Sequence, residues 1–346
     1  MMLGKPARRG LVALLGVVVL AGGCTVGPDY EKPETKTPEQ WQQSILERDP
    51  ALVPAPGEIE QWWKILGDPV LDRLIEEAGR SNYDLRIAIA RVQEAREFIG
   101  VVSGEAYPQV GASANASRSR ISENQLPLPD GQTHNSFDVG IGASWELDVF
   151  GRIRRSVEAA TAEYQATEED RNDVLISVYA QVGRSYVALR TAQARLDAAL
   201  NNIESQREIV ELTKTRFKYG LASDLDVAQA EQVLASSEAV VPEIQTNLDR
   251  SMHALAVLVG KEPSALVKEL SDPAPIPGLD TEIKVGVPAD LIRRRPDIRR
   301  AERQLAAQTA RIGVATAQLY PSFNIFGMLG LAAGKTSALF TSGSQT

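Results

Sequence analysis

The stretch Phe137-Asp138-Val139-Gly140-Ile141-Gly142-Ala143-Ser144-Trp145-Glu146-Leu147-Asp148-Val149 alternates without a break: its odd positions are apolar and its even positions are small or polar. Period-two alternation predicts a strand with one apolar and one polar face. Its 13 residues extend about 43 Å, and a tilt of about 45° brings that to about 30 Å, the thickness of a bilayer's hydrocarbon core. Strands of soluble sheets usually stop near half that length. A soluble antiparallel hairpin is the plainer alternative for this segment taken alone. Gly140 and Gly142 do not read as a phosphate loop, because no helix opens after them.

N-terminal to this strand, Tyr107 to Ser119 is the expected partner, with Val110, Ala112, Ala114 and Ala116 on one side and Gln109, Ser113, Asn115 and Ser117 on the other. Residues 120–135, with Pro127, Pro129 and Asp130-Gly131, read as a polar loop, long as outer-membrane barrels have them on their outer side. Further upstream, Asp68-Pro69 opens a helix whose apolar face is Leu71, Leu74, Ile75 and Ala78. Gly79 is expected to break it, and Ser81 or Asn82 to cap a second helix running to about Ser103.

C-terminal to the strand lies the longest feature. Ile153 to Phe217 contains no proline, and Leu175, Val182, Leu189, Leu196, Ile203, Val210 and Phe217 recur every seven residues. A second helix from Asp224 to about Val259 carries Val227, Leu234, Val241, Leu248 and Leu255 on the same period. Sustained heptads predict supercoiled helices, and the first, if continuous, is about 98 Å long. Gly220 ends it, Ser223 or Asp224 caps the next start, and the chain reverses between them. Pro242 is expected to bend or break the returning helix. An ordinary antiparallel coiled coil is the alternative for this segment alone.

The chain also resembles itself. A shift of 213 residues aligns Asp84, Arg86 and Ala88 with Asp297, Arg299 and Ala301, and Ile99, Gly100, Val101, Tyr107 and Pro108 with Ile312, Gly313, Val314, Tyr320 and Pro321. Each copy is a helix, then Tyr-Pro, then a strand-like segment; in the second, Phe323, Ile325 and Gly327 alternate with Asn324, Phe326 and Met328. A second unit thus begins near Ala289. The sequence stops at Thr346, inside what should be that unit's first strand-to-strand loop, so a C-terminal truncation is expected.

At the N-terminus, Lys5, Arg8 and Arg9 precede the apolar run Leu11 to Ala21, too short to span a bilayer, and Ala21-Gly22-Gly23 precede Cys24. The only cysteine therefore stands where a bacterial lipoprotein signal needs its acylated thiol, although Leu20 lies four residues before it, where three is usual. Thr25 follows instead of the Asp of inner-membrane retention. Six prolines between residues 25 and 60 make that stretch an extended arm.

Composition narrows function by exclusion. Among 346 residues there are one Cys and two His, and 37 basic residues face 45 acidic, a net charge of −8. One Cys forms no internal disulfide, and these counts cannot build a Cys/His zinc site. The acidic balance argues against nucleic-acid partners. His134 and His253 have no nucleophile motif beside them, and Glu168-Glu169-Asp170 reads as a solvated charge run. Arg293, Arg294, Arg295, Arg299, Arg300 and Arg303 are expected to make ion pairs around a helix start. Enzyme activity is not expected.

The segments WWKILGDPVLDRLIEEA, SWELDVFGRIRRS, RFKYGLASDLDVAQAE, LAVLVGKEP and GVPADLIRRRPDIRRAE resemble the signatures of TolC-like outer-membrane factors, most closely the lipoprotein branch often called the NodT family. The resemblance covers nearly everything after the signal peptide. It implies an α+β membrane protein: outer-membrane β-barrel strands plus long periplasmic coiled-coil α-hairpins, a TolC-like α/β barrel truncated in its second repeat. It also implies a homotrimer in which each protomer gives four strands to a twelve-stranded barrel and two helical hairpins to a periplasmic tunnel. Four strands are fewer than the roughly eight that close a barrel, which agrees. The implied role is a passive exit duct of a tripartite efflux pump, with a periplasmic adaptor and an inner-membrane transporter of RND type as partners. The family's acidic gate falls beyond Thr346. A periplasmic adaptor lipoprotein and a structural coiled-coil lipoprotein are the alternatives; neither explains a repeated unit with membrane-length strands.

The expected organisation is a lipoprotein signal peptide over 1–23, an extended arm over 24–60, periplasmic helices over 61–105, an outer-membrane β-hairpin over 106–150 and a long helical hairpin over 151–262. A linker over 263–288, a second-repeat helix over 289–319 and the start of a second β-hairpin over 320–346 follow. The expected site residues are Cys24 for a covalent lipid (palmitate), with no other cofactor and no metal; Gly220, Leu221, Ala222 and Ser223 for the tip where the adaptor docks; and Asp138, Ser144, Glu146 and Asp148 for the barrel lumen. The expected place is the outer membrane, lipid-anchored.

Overall fold

The computed structural model describes residues 25–34, 52–53, 61–120, 133–278, 283–284 and 288–346. In chain order the elements are β1 (Leu52–Val53), a short 3-10 turn (Trp62–Leu66), α1 (Pro69–Ser81), α2 (Tyr83–Gly104), β2 (Gln109–Arg120) and β3 (Thr133–Leu147). Then come α3 (Arg152–Lys218), α4 (Asp224–Leu258), α5 (Val267–Leu270), β4 (Ile283–Lys284), α6 (Pro288–Arg294), α7 (Pro296–Ala317) and β5 (Phe323–Ala333). The signal peptide, Cys24, most of the arm and most of the 120–135 loop lie outside the described residues. No described helix is long and apolar enough to cross a membrane.

The chain divides into two units. One comprises the described residues within 34–92 and 167–300. Its core begins at Asp68, whose carboxylate accepts from the amides of Val70 (2.9 Å) and Leu71 (3.1 Å) and so caps α1 behind Pro69. Leu71, Leu74, Ile75 and Ala78 are fully buried, in one cluster with Val178, Val182, Tyr186 and Leu189 of α3 and with Met252 and Leu255 of α4. The heptad ladder is the inner seam of α3: Val182, Leu189, Ile203 and Val210 are buried, while Phe217, at its end, is exposed. Inside this core, Tyr186 donates to Asp68 Oδ2 (2.6 Å), and Arg190 donates to the Tyr186 oxygen (3.0 Å), to Gln193 (2.8 Å) and to the Asp272 carbonyl (3.1 Å). Each nitrogen of the buried guanidinium is thus partnered, as burial of a charge requires. Burial and the Asp68 contact push the Tyr186 hydroxyl up to about 12.

Four expectations change here. α1 runs through Gly79 and ends at Asn82, whose side-chain oxygen caps α2 through the Leu85 amide (3.0 Å). Gly79 instead makes room: an added Cβ would lie 2.5 Å from the Tyr179 hydroxyl. α4 continues unbroken through Pro242, at the loss of one backbone donor. The run Glu168-Glu169-Asp170 is no solvated face, since Glu169 is buried against Arg299 (2.7 Å) and Asp170 pairs with Arg300. The expected second-repeat helix is two helices, parted at Arg295-Pro296 because a residue before proline is turned away from helical geometry. A short parallel pair, β1 with β4, was not foreseen.

The other unit comprises, among the described residues, 25–33, 93–120, 133–166 and 301–346. Its three-stranded sheet has the order β2-β3-β5, and both pairings are antiparallel. β3 begins four residues before the expected start and stops at Leu147, because Asp148 turns away to cap α3. Its carboxylate accepts from the amides of Ile153 (3.0 Å) and Arg154 (2.9 Å). Below the sheet α7 buries Ala306, Ala307, Ala310, Gly313 and Ala317, a stripe small enough to admit neighbouring backbone closely.

Candidate functional site

The register fixes which residues share a sheet face. Ile141 stands opposite Ala112 and Leu329, Val139 opposite Ala114 and Leu331, and Trp145 opposite Ile325. Over Val110–Ala116 of β2, Phe137–Leu147 of β3 and Phe323–Ala333 of β5 this face is apolar, and its large side chains are exposed, Ile141 at 59% and Leu329 at 80%; Arg118 and Arg120 end it. A sheet face so apolar and so bare fits lipid contact and not an aqueous surface. The opposite face carries Asp138, Ser144 and Glu146 of β3 beside Asn115, Ser113 and Gln109 of β2. A shallow, open hollow is lined by Gln109, Ser113, Ser144, Phe326 and Met328 of this face and bordered by Val110, Ala112 and Ala143.

At the base of the strands, charges and rings gather. Arg152 grips Glu146 with two bonds (2.8 and 2.9 Å) and reaches Glu105 (3.1 Å). Hydrogen bonding to Glu146, against the cost of partial burial, holds that guanidinium above its ordinary value. Trp145 donates its indole N–H to the Ala106 carbonyl (2.9 Å), and Phe150 stacks on Tyr320 at 4.7 Å between centroids. Aromatic side chains with a polar end suit the edge of a hydrocarbon layer. Of the four residues expected on the polar strand face, Asp138, Ser144 and Glu146 lie on it, and Asp148 stands one residue past the strand as a helix cap.

Cys24 is outside the described residues, but the chain that follows it is firmly held. Thr25 lies against Gly151, where φ is +83°. The Val26 amide donates to the Phe150 carbonyl (3.2 Å). Arg155, only 3% exposed, donates to the carbonyls of Val26 (3.2 Å) and Gly27 (3.3 Å) and to Asp29 (2.7 Å). Gly27, at φ +91°, touches the Cα of Gly313, so neither position leaves space for a side chain. Tyr30 packs on the Ala162, Ala306 and Ala307 cluster with Arg303 over its ring, and Lys32 pairs with Glu302 at 3.1 Å. Sequence reading missed this strap. Its one local signal is the arginine run Arg152, Arg154, Arg155 after a glycine, and the strap residues that Arg155 holds lie 126 to 129 residues away.

The reversal between α3 and α4 is built as expected. Gly220 at φ +70° lets the amide of Leu221 reach the Arg216 carbonyl (2.8 Å) and its own amide reach Phe217 (2.9 Å), closing the helix end. Ser223, not Asp224, caps α4: its hydroxyl accepts from the Asp226 amide (3.2 Å) and its amide donates to the Asp226 carboxylate (2.7 Å). The Ser223 backbone bond, then its hydroxyl, holds the Asp226 carboxyl below its ordinary value. Leu221 is 71% exposed beside exposed Tyr219 and Leu225, so the tip offers apolar surface to solvent.

Comparison with known proteins comes down on the same side. Residues 74–261 match the family profile described as Outer membrane efflux protein. Nodulation protein T of Rhizobium leguminosarum bv. trifolii is 32% identical over 316 residues, 91% of this chain and 66% of that protein. The solvent efflux pump outer membrane protein SrpC of Pseudomonas putida is 32% identical over 341 residues, 95% of this chain and 70% of that protein. Among solved structures, the outer-membrane channel OprN superposes with a TM-score of 0.80 at 37% identity, over 93% of this chain and 71% of that one. CusC does so with a TM-score of 0.70 at 27% identity, over 93% of this chain and 70% of that one. The chain thus spans 66 to 71% of the lengths of these proteins.

Proposed function

We propose that this chain, which belongs to the outer membrane efflux protein family, is a subunit of an outer-membrane exit duct that conducts passively what a periplasmic adaptor and an inner-membrane transporter of RND type deliver. The observation that carries this reading is the sheet: one face apolar and exposed across three strands in register, the other polar and hollowed. The three strands among the described residues are fewer than the roughly eight that close a barrel. A homotrimer is the assembly we propose. The apolar face meets lipid. Asp138, Ser144 and Glu146 face the lumen, and Asp148 with Arg152 marks the periplasmic rim.

The α3–α4 hairpin forms tunnel wall, and its tip at Gly220, Leu221, Ala222 and Ser223 meets the adaptor. The duct has no chemistry to perform, since an energised transporter upstream supplies direction, so the reading needs no catalytic group. Cys24 carries the covalent lipid. Thr25, held against Gly151 at the foot of β3, supports acyl chains entering the membrane beside the strand ends. Reconstitution of protein purified from outer membranes tests the reading: a trimer by native mass spectrometry and discrete ion conductance in planar bilayers are expected. Monomers without conductance refute it.

A further inference from the structure

On β5 the positions that share the polar face are Asn324, Phe326, Met328, Gly330 and Ala332. The register sets Phe326 opposite Ser144 and Met328 opposite Gly142, and these stand opposite Gln109 and Gly111 of β2. Two large apolar side chains thus project from a face that β2 and β3 otherwise furnish with Gln, Ser, Asn, Asp and Glu. Phe326 is 77% exposed and Met328 74%, so neither serves a core. Both line the shallow, open hollow on this face. The glycines beside Met328 are not forced by crowding. A Cβ on Gly111 would meet nothing within 4 Å, and one on Gly142 only the Gly327 carbonyl at 3.9 Å. The floor is left open where a side chain would fit. No charged residue lines the hollow; the ionisable groups of β3 on the same face are His134, Asp138 and Glu146, the last paired with Arg152.

We infer that Phe326 and Met328 are specificity-determining contacts on the duct wall, an apolar pair over a glycine floor that favours solutes with an aromatic body, uncharged or cationic, over small hydrophilic ions. The inference rests on the polar sheet face being the lumen, as proposed above. In a trimer the pair is presented three times around one passage. The rings and the thioether attract aromatic and cationic groups, which small hydrophilic ions cannot exploit.

The test uses the purified channel protein in planar bilayers, with tetraphenylphosphonium added on the barrel side as an aromatic cation and tetramethylammonium as a small one. Tetraphenylphosphonium should reduce conductance in a saturable way. The double variant Phe326→Ser with Met328→Asn should weaken that block about tenfold and leave tetramethylammonium currents unchanged. Equal block of parent and variant overturns the inference. Should the double variant not assemble, Met328→Asn alone, beside open glycine positions, gives the same readout. Labelling Phe326→Cys with a charged methanethiosulfonate, against the parent chain with its single Cys24, keeps the two levels apart. No labelling overturns the lumen assignment itself, whereas labelling with unchanged block overturns only the role of the pair.

Discussion

Arg155→Met should release residues 25–30 from the body of the protein without unfolding it. The substitution keeps the buried stem and deletes the guanidinium, which bonds the carbonyls of Val26 and Gly27 and the carboxylate of Asp29. The Asp29 carboxylate is 88% exposed, so that contact contributes little. The two carbonyl bonds come from a charged, buried donor and together stabilise the strap by about 2–3 kcal/mol. The Glu158 carboxylate, half-exposed, is left to water and adds no further penalty. Lys32 and Tyr30 still hold the far end of the strap, so the loss is local. Hydrogen exchange read by mass spectrometry on a peptide covering 25–34 is the assay, because the Val26 amide is bonded to Phe150. At about 1.4 kcal/mol per factor of ten, protection there should fall about 30- to 150-fold, while peptides in α1 and α3 stay unchanged. Gly313→Ala should act by another route, because its Cβ would lie 2.8 Å from the Arg155 stem and displace it. A change of less than about threefold in Arg155→Met, an order of magnitude below expectation, would refute the reasoning that this arginine pins the strap.

Ile141→Arg places a charge on the apolar face and should cost about 2–4 kcal/mol in the folded, membrane-inserted state, measured by urea titration in vesicles, whereas Gly142→Arg on the other face should cost far less. At the hairpin tip the depressed Asp226 carboxyl makes the α4 cap stable at neutral pH. That contribution should persist down to about the ordinary value of 3.8 and disappear as pH falls through the lower folded value, with Asp226→Asn removing the dependence in amide exchange at the tip. Leu221→Trp should leave helix content and assembly unchanged yet abolish crosslinking to the adaptor, and full crosslinking would make the tip a turn and nothing more.

What could be read from sequence was whatever repeats. Alternation from Phe137 to Leu147 carries the strand because each residue independently reports its face, and the seven-residue ladder from Leu175 carries the helix in the same way. Single residues misled where their reason is tertiary. Gly79 marks the approach of Tyr179 and not a helix end, Asp148 leaves the strand to cap α3, and Pro242 is tolerated because one missing donor does not outweigh the packing on either side of it. The Arg155 strap and the Tyr186–Arg190–Asp68 network were hidden by distance: their partners lie up to 129 residues apart, and no local pattern announces them. For Phe326 and Met328 the alternation was visible, but only the register with β3 says which face they share.

The division of the sheet into a lipid face and a water face is what the channel reading stands on, and cysteine scanning of residues 137–147 measures it. Each position is replaced in turn in the protein as it sits in the outer membrane, then exposed to a membrane-impermeant thiol reagent, with the parent chain as background for Cys24. Labelling should appear at 138, 140, 142, 144 and 146 and be missing at 139, 141, 143, 145 and 147. Labelling of both sets alike, or none with period two, would contradict a barrel wall and leave a soluble sheet.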